Sequence, residues 1–406
     1  MASTVFTNNV TLTDADWFND LNRLHYAILG DPADAAAVKT ALGAAASGAN
    51  ADITSLSALT SINGGQIAGF RNKIINGDMR IDQRNAGAAV TPTASTYLVD
   101  RFLFASSQAS KLTFQQVADA PRGFKFSTKI TVASQFAPAA GDSFTYVQPI
   151  EGQNVIDLAF GTASAASITV SFYAKTSVAG TYSVSIRNVA SDRSYVFSVT
   201  LTTSWARYTV TIPGDATGTW ATGNATGLSV GFSLGVGTTY QTASPNRWLA
   251  GSYLAATGST QFVNQTAGAT LNITGVQLEA GTVATPFENR PVGTEVALCQ
   301  RYYEKSYALG TAPATVTNTN MVQEWVVAGQ GEYQSSGVRF TQDKRAAPTV
   351  TIYSSTTGAS GVAAATSAAA DKTAALEGTG TRGATLYFGL AAADLMRYHW
   401  TASAEL

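Results

Sequence analysis

The carboxylates are the first residues to ask for chemistry, because glycoside hydrolysis needs two of them held several ångströms apart. Asp100, Glu151, Glu279, Glu288 and Glu295 are the candidates, and they are isolated from one another in sequence. Asp100 stands beside Arg101, and Glu279 and Glu288 lie in one short segment, which favours hydrogen-bonding or ion-pairing roles in the scaffold over hydrolysis. Gly227-Leu228-Ser229-Val230-Gly231 has the spacing of a nucleophile elbow, which requires a strand, a sharp turn and a helix. Leu228, Val230, Phe232 and Leu234 alternate straight through it, so Ser229 is expected within a strand. Gly378-Thr379-Gly380-Thr381-Arg382-Gly383 matches a dinucleotide-loop spacing, but a strand pattern follows where a helix is needed, so a hairpin or loop is expected. Two histidines, His25 and His399, and one cysteine, Cys299, are too few for most His- or Cys-based sites. Packing is the expected role of all three. No catalytic residue, metal site or cofactor is expected, and no enzymatic activity.

Aromatic side chains offer another chemistry. A ring face matches the apolar C–H face of a pyranose and can stack on a sugar. Trp220 and Tyr240 fall in Gly/Thr-rich loops, and Trp248 ends one. Trp325, Tyr333 and Tyr353 are the alternatives nearer the C-terminus. We take Trp220, Tyr240, Trp325, Tyr333 and Tyr353 as candidate glycan-binding residues, with ordinary packing as the competing role of each.

These residues need elements to hold them. The chain has 406 residues, enough for two or three domains, of which only 13% are charged, with a net charge of −1. Such a balance gives no attraction to nucleic acid or to an anionic membrane, and a low-charge surface points to assembly. There is no apolar run long enough for a membrane helix and no basic-then-apolar leader, so synthesis in a cytoplasm is expected. Thr13 to Asp16 reads as a helix start, followed by an apolar stripe at Trp17, Leu21, Leu24 and Ile28, and Asp31-Pro32 restarts a second helix. Ile53, Leu56, Leu59 and Ile62 recur every three residues, as in a stalk wound about an axis, with an ordinary linker as the alternative. Period-two alternation then predicts strands near 97–104, 110–117, 124–132, 144–150, 168–174, 182–187, 195–201, 205–212, 228–236 and 270–278. Many strands separated by turns define a sandwich of jelly-roll type. A helix is predicted over 294–306, then strands near 321–328, 337–341, 349–354, 384–390 and 396–403, with 358–375 as loop over part of its length.

Several landmarks resemble a family of bacteriophage tail-fibre and related virion proteins. They are Arg71-Asn72-Lys73-Ile74-Ile75-Asn76-Gly77 running on to Gln83-Arg84, Asp100-Arg101-Phe102, Trp205 to Gly214, Gly275 to Glu288, and Cys299-Gln300-Arg301-Tyr302-Tyr303-Glu304-Lys305. Lys344 to Tyr353 and the ending Ala402 to Leu406 are similar to later parts of the same fibres. The resemblance implies a mainly β chain: a carbohydrate-binding-module-like jelly-roll β-sandwich over 71–289, a smaller distal β-sandwich over 290–406, and a short α-helical attachment and trimerisation segment over 1–70. It implies a homotrimer in the virion, made in the bacterial host cytoplasm, joined to phage tail or portal and adaptor proteins through its N-terminal segment. The expected function is recognition of host-surface polysaccharide or lipopolysaccharide, with the distal loops as the expected contact. A purely structural head fibre, tail fibre or decoration protein is the alternative, and a polysaccharide depolymerase a weaker one.

Overall fold

Strands whose alternate residues are apolar can bury one face each, and two such sheets must then face each other. In the computed structural model, which describes residues 69–327 and 335–406, they do so. The N-terminal helices, the three-residue apolar repeat, His25 and Tyr333 lie outside the described residues.

The first sheet has seven strands, in the spatial order Thr96–Tyr97, Leu103–Ser106, Ser143–Glu151, Thr226–Val236, Gly180–Asn188, Arg193–Leu201 and Trp248–Ala250. The second has five, in the order Leu112–Val117, Ser127–Val132, Thr270–Ala280, Ile168–Thr176 and Ala206–Ile212. Every pairing within these two sheets is antiparallel. Phe104, Phe144, Tyr146, Val184, Ile186, Phe197, Val230 and Phe232 of the first sheet meet Phe114, Ile130, Val170, Phe172, Ile273 and Leu278 of the second in one buried core. This is the jelly-roll sandwich. Ser229 sits inside Thr226–Val236, as its flanking alternation requires.

Two departures from the expected strands have local causes. The pattern over 97–104 is broken at Asp100-Arg101, where Arg101 takes a φ of +73° and the chain turns. The strand Thr270–Ala280 carries a bulge between Thr274 and Gln277. Gly275 there has a φ of +61°, and a Cβ on it would collide with the rings of Phe124 and Tyr173. The bulge frees Val276, whose N–H donates to the Gly77 carbonyl at 2.9 Å. A Cβ on Gly77 would run into the Val276 carbonyl, so the Asn-Gly pair of the 71–84 segment is there for close approach.

After the helix Val292–Gln300 a second β unit follows. Its central strand, Asp394–Ser403, pairs with Tyr303–Lys305 and Val322–Val326 on one side, and with Thr349–Ser354 and Val362–Ala365 on the other. Ala370–Gly380, Gly383–Phe388 and Ser335–Arg339 continue the sheet. Residues from seven of these strands share one core that includes Ile352, Leu386, Phe388, Met396, Tyr398 and Trp400, so the sheet folds over on itself like a small sandwich. The expected helix over 294–306 ends at Gln300, because Tyr303–Lys305 is drawn into pairing with Ser403, Ala402 and Thr401. The expected loop over 358–375 holds a hairpin, Val362–Ala365 with Ala370–Gly380, which its small residues did not announce. The glycine-rich 378–383 stretch closes the next hairpin, as expected, and is no nucleotide loop.

Candidate functional site

The five carboxylates weighed for hydrolysis are all engaged. Glu151 takes a two-pronged bond from Arg301, at 2.8 and 2.6 Å, and one from the Tyr302 hydroxyl at 2.8 Å. Burial opposes its ionisation, yet these donors hold its carboxyl below the usual range. Glu279 accepts from Gln277 and from the N–H and hydroxyl of Thr285. Glu288 accepts from the Asn72 N–H and from Arg290, and Glu295 from the Asn76 N–H and Arg290. Asp100 accepts from the N–H and side chain of Gln83, and burial lifts its pKa to about 6. Each of the five is thus held by donors of the surrounding scaffold.

These contacts join one another into a seam between the sandwich and the second unit. Arg84 and Arg101 both grip Glu405, and Arg101 also donates to the Pro149 carbonyl at 2.8 Å. Arg101 lies 3.5 Å over the Tyr302 ring and Arg84 3.8 Å over that of Tyr303. Gln83 donates to the Tyr303 carbonyl, and Lys344 pairs with Glu304. Lys305 donates to the carbonyls of Gln83, Leu309 and Thr311; burial draws its pKa down to about 8, while three acceptors favour the ammonium. Cys299 and Tyr302 pack with Ile75 and Ile81 beside these groups, and Leu406 packs against them. The thiol is buried, which pushes its pKa well up, so it is a small core residue. The sequence landmarks thus converge on a structural joint.

His399 is likewise spent on packing. Its Nε2–H donates to the Thr317 carbonyl and its Nδ1 accepts from Ser306, each at 3.0 Å, while its ring stacks on Tyr307 at 3.9 Å. Burial lowers its pKa, and both nitrogens are satisfied as the neutral ring.

The structure separates the aromatic candidates. Trp220 lies in a loop braced by Asp215, which takes two 2.7 Å bonds from Arg193 and caps Thr217. Its indole N–H donates to the Thr217 carbonyl, and it meets Phe160 and Trp248 edge-on, at 4.9 and 5.4 Å. Together with Ile156, Leu158, Thr162 and Thr222 it lines a cavity of about 260 Å³. Tyr240 packs on Val236, Leu254 and Ala255, and a strap, 251–260, lies over the outer face of the seven-stranded sheet. That face is lined with serines, and the strap bonds two of them: Ser183 to Ser259 and the Ala256 N–H, and Ser194 to the Gly251 carbonyl and the Tyr253 N–H. Tyr353 stands next to Tyr307, ring centres 6.3 Å apart. Trp325 alone among the described candidates is open, 62% exposed on the strand Val322–Val326.

Beside Trp325 the structure brings a residue that sequence reading passed over. Arg397 is half-buried on the neighbouring strand, and its Nε is buried without a partner. Only the register of two strands about seventy residues apart, which places Gln323 opposite Arg397 and Trp325 opposite Leu395, reveals the pairing.

No known family model matches this chain, and no curated protein sequence matches it. Among solved structures, it is similar to a putative sugar-binding protein of Bacteroides thetaiotaomicron at 13% identity and a TM-score of 0.30, over 52% of this chain and 99% of that one. It is similar to the enzymatically active domain of bacteriophage CBA120 tailspike protein 4 at 12% identity and a TM-score of 0.28. That match covers 53% of this chain and 22% of the tailspike chain. A family 4 carbohydrate-binding module matches at 16% identity and a TM-score of 0.24, over 50% of this chain and 97% of that one. At such identities and TM-scores these likenesses carry no argument about this chain.

Proposed function

We propose that this chain is a bacteriophage fibre component that binds host-surface glycan without cleaving it. The carrying observation is Trp325: a large ring, 62% exposed, on a strand of a packed sheet and not in a core. An exposed ring on a rigid support loses little freedom on stacking against a sugar. The resemblance of the 71–84, 100–102, 275–288 and 299–305 segments to phage fibres supports the virion setting, with 1–70 joining tail or portal and adaptor proteins. A homotrimer would present three weak sites, and avidity would supply the affinity for polysaccharide or lipopolysaccharide. The engaged state of all five candidate carboxylates supports adhesion over hydrolysis.

A second reading, a purely structural fibre or decoration protein, is favoured by the strap that seals the outer face of the jelly roll. Adsorption of the full chain to whole host cells and to purified surface glycan separates the two. Binding that Trp325→Ala removes is the expected result. A folded, assembled protein that binds neither cells nor glycan overturns adhesion and leaves the structural reading. Release of reducing ends from the glycan overturns the non-enzymatic one.

A further inference from the structure

Resting on the glycan reading, we propose that the face around Trp325 selects a carboxylated sugar, a uronate or an ulosonate, with Arg397 taking the carboxylate. In the strand Asp394–Ser403, Met396 and Tyr398 point into the core, so Leu395 and Arg397 belong to the opposite, outer face. The antiparallel register with Val322–Val326 sets Trp325 opposite Leu395 and Gln323 opposite Arg397. Trp325 and Arg397 are therefore diagonal neighbours on one face, about 7–8 Å apart at the backbone and within reach of each other's long side chains.

The electrostatics give the ligand its class. Four arginines of the joint hold carboxylates: Arg84 and Arg101 hold Glu405, Arg290 holds Glu288 and Glu295, and Arg301 holds Glu151, while Arg345 is taken up by the backbone carbonyls of Asn224, Ala404 and Glu405. Among the described residues Arg397 holds none; its buried Nε lacks an acceptor, as do those of Arg101 and Arg290, but those two arginines have carboxylates on their other nitrogens. Two of the nearby acids are committed elsewhere, and the third, Glu324, has a buried Oε1 without a partner but lies on the other face. Asp371 lies across Ala364 from Arg397 and is turned to the hydroxyls of Ser354 and Thr357. Asp394 accepts from the N–H groups of Ser367, Ala368 and Leu395. Glu324 is opposite Met396 and so projects to the other face. A half-buried guanidinium without a counter-ion is a two-pronged donor waiting for a planar anion, and a carboxylate fits its fork. The exposed indole next to it supplies the ring-stacking surface that a sugar offers and a free carboxylate does not. A sugar acid uses both at once.

The test is calorimetric titration of the full chain with oligogalacturonate and with sialyllactose, each against its carboxyl-reduced counterpart. At least one acid probe should bind tenfold or more tightly than its reduced form. Arg397→Gln should bring the two within twofold, Arg397→Lys should keep an intermediate preference because it retains charge but not the fork, and Trp325→Ala should weaken both forms together. Unchanged melting temperatures establish that the variants are folded. Equal binding of acid and reduced forms, or a preference that survives Arg397→Gln, overturns the selection of a carboxylate while the glycan reading stands. Binding of host glycan with no binding of either acid probe does the same. A folded chain that binds no glycan of any kind overturns the glycan reading itself.

Discussion

Two places in this molecule concentrate arginine and aromatic side chains, and they use them in opposite ways. At the joint, the half-buried Arg84 and the buried Arg101 lie over Tyr303 and Tyr302 and share Glu405. On the outer face of the second unit, Arg397 has no carboxylate among the described residues and Trp325 faces solvent. The same residue types build a lock in one place and an open surface in the other. What differs is whether the fold itself supplies the counter-charge. Where it does, the group is spent on stability; where it does not, the group is left for something outside the chain.

That contrast can be broken, beginning with the largest effect. Arg101→Ala should cost about 3–5 kcal/mol, because it leaves Glu405 short of a partner in a buried setting, and chemical denaturation would measure it. A loss under 1 kcal/mol would show the joint to be far weaker than its contacts imply. Glu151→Gln keeps the shape but removes the charge-assisted pair with Arg301, and should cost about 1.5–3 kcal/mol on the same scale.

The pH response sharpens the comparison. Asp100 has a folded-state pKa raised from 3.8 to about 6, chiefly by burial. Its contribution to stability is therefore fully present below 3.8 and is lost as pH rises through about 6. Glu151 and Asp215 are buried but are held low by Arg301 and Arg193, so theirs is present above the ordinary carboxylate range and is lost as pH falls. Melting curves from pH 3.5 to 7 should show Asp100→Asn gaining on the parent chain as pH rises, and Glu151→Gln gaining on it as pH falls. Parallel curves would mean that Asp100 is already ionised in the fold without penalty. The smallest effect is reserved for the open face. Trp325→Ala should change stability by no more than about 0.5 kcal/mol, as for an exposed side chain away from special features. A larger loss would place Trp325 in an interface between copies, and would move it to the structural side of the comparison.

Much of the architecture was legible before the fold was known. Ile168-Thr169-Val170-Ser171-Phe172 and Tyr182-Ser183-Val184-Ser185-Ile186 alternate cleanly, and both lie within observed strands. Where alternation failed, so did the reading. The hairpin of Val362–Ala365 and Ala370–Gly380 is built largely of Ala, Thr and Gly, residues too small to mark a buried face. The helix reading ran past Gln300 because Tyr303 to Lys305 has no local signal against a helix; its strand state comes from pairing with residues 401–403.

Of the candidate surface, residue type picked out Trp325 but not its neighbour. The sequence by itself determined a mainly β chain, most strands of the sandwich though not Trp248–Ala250, and the presence of a helix after residue 290, because those follow from periodicity over a few residues. Only the tertiary structure decided which carboxylates were spent and which arginines hold them. Arg101 meets Glu405 across 304 residues, and Arg397 comes diagonally next to Trp325 through the register of two strands. Charge pairing at such separations depends on which chain segments the cores bring together, and no local pattern of side chains records it.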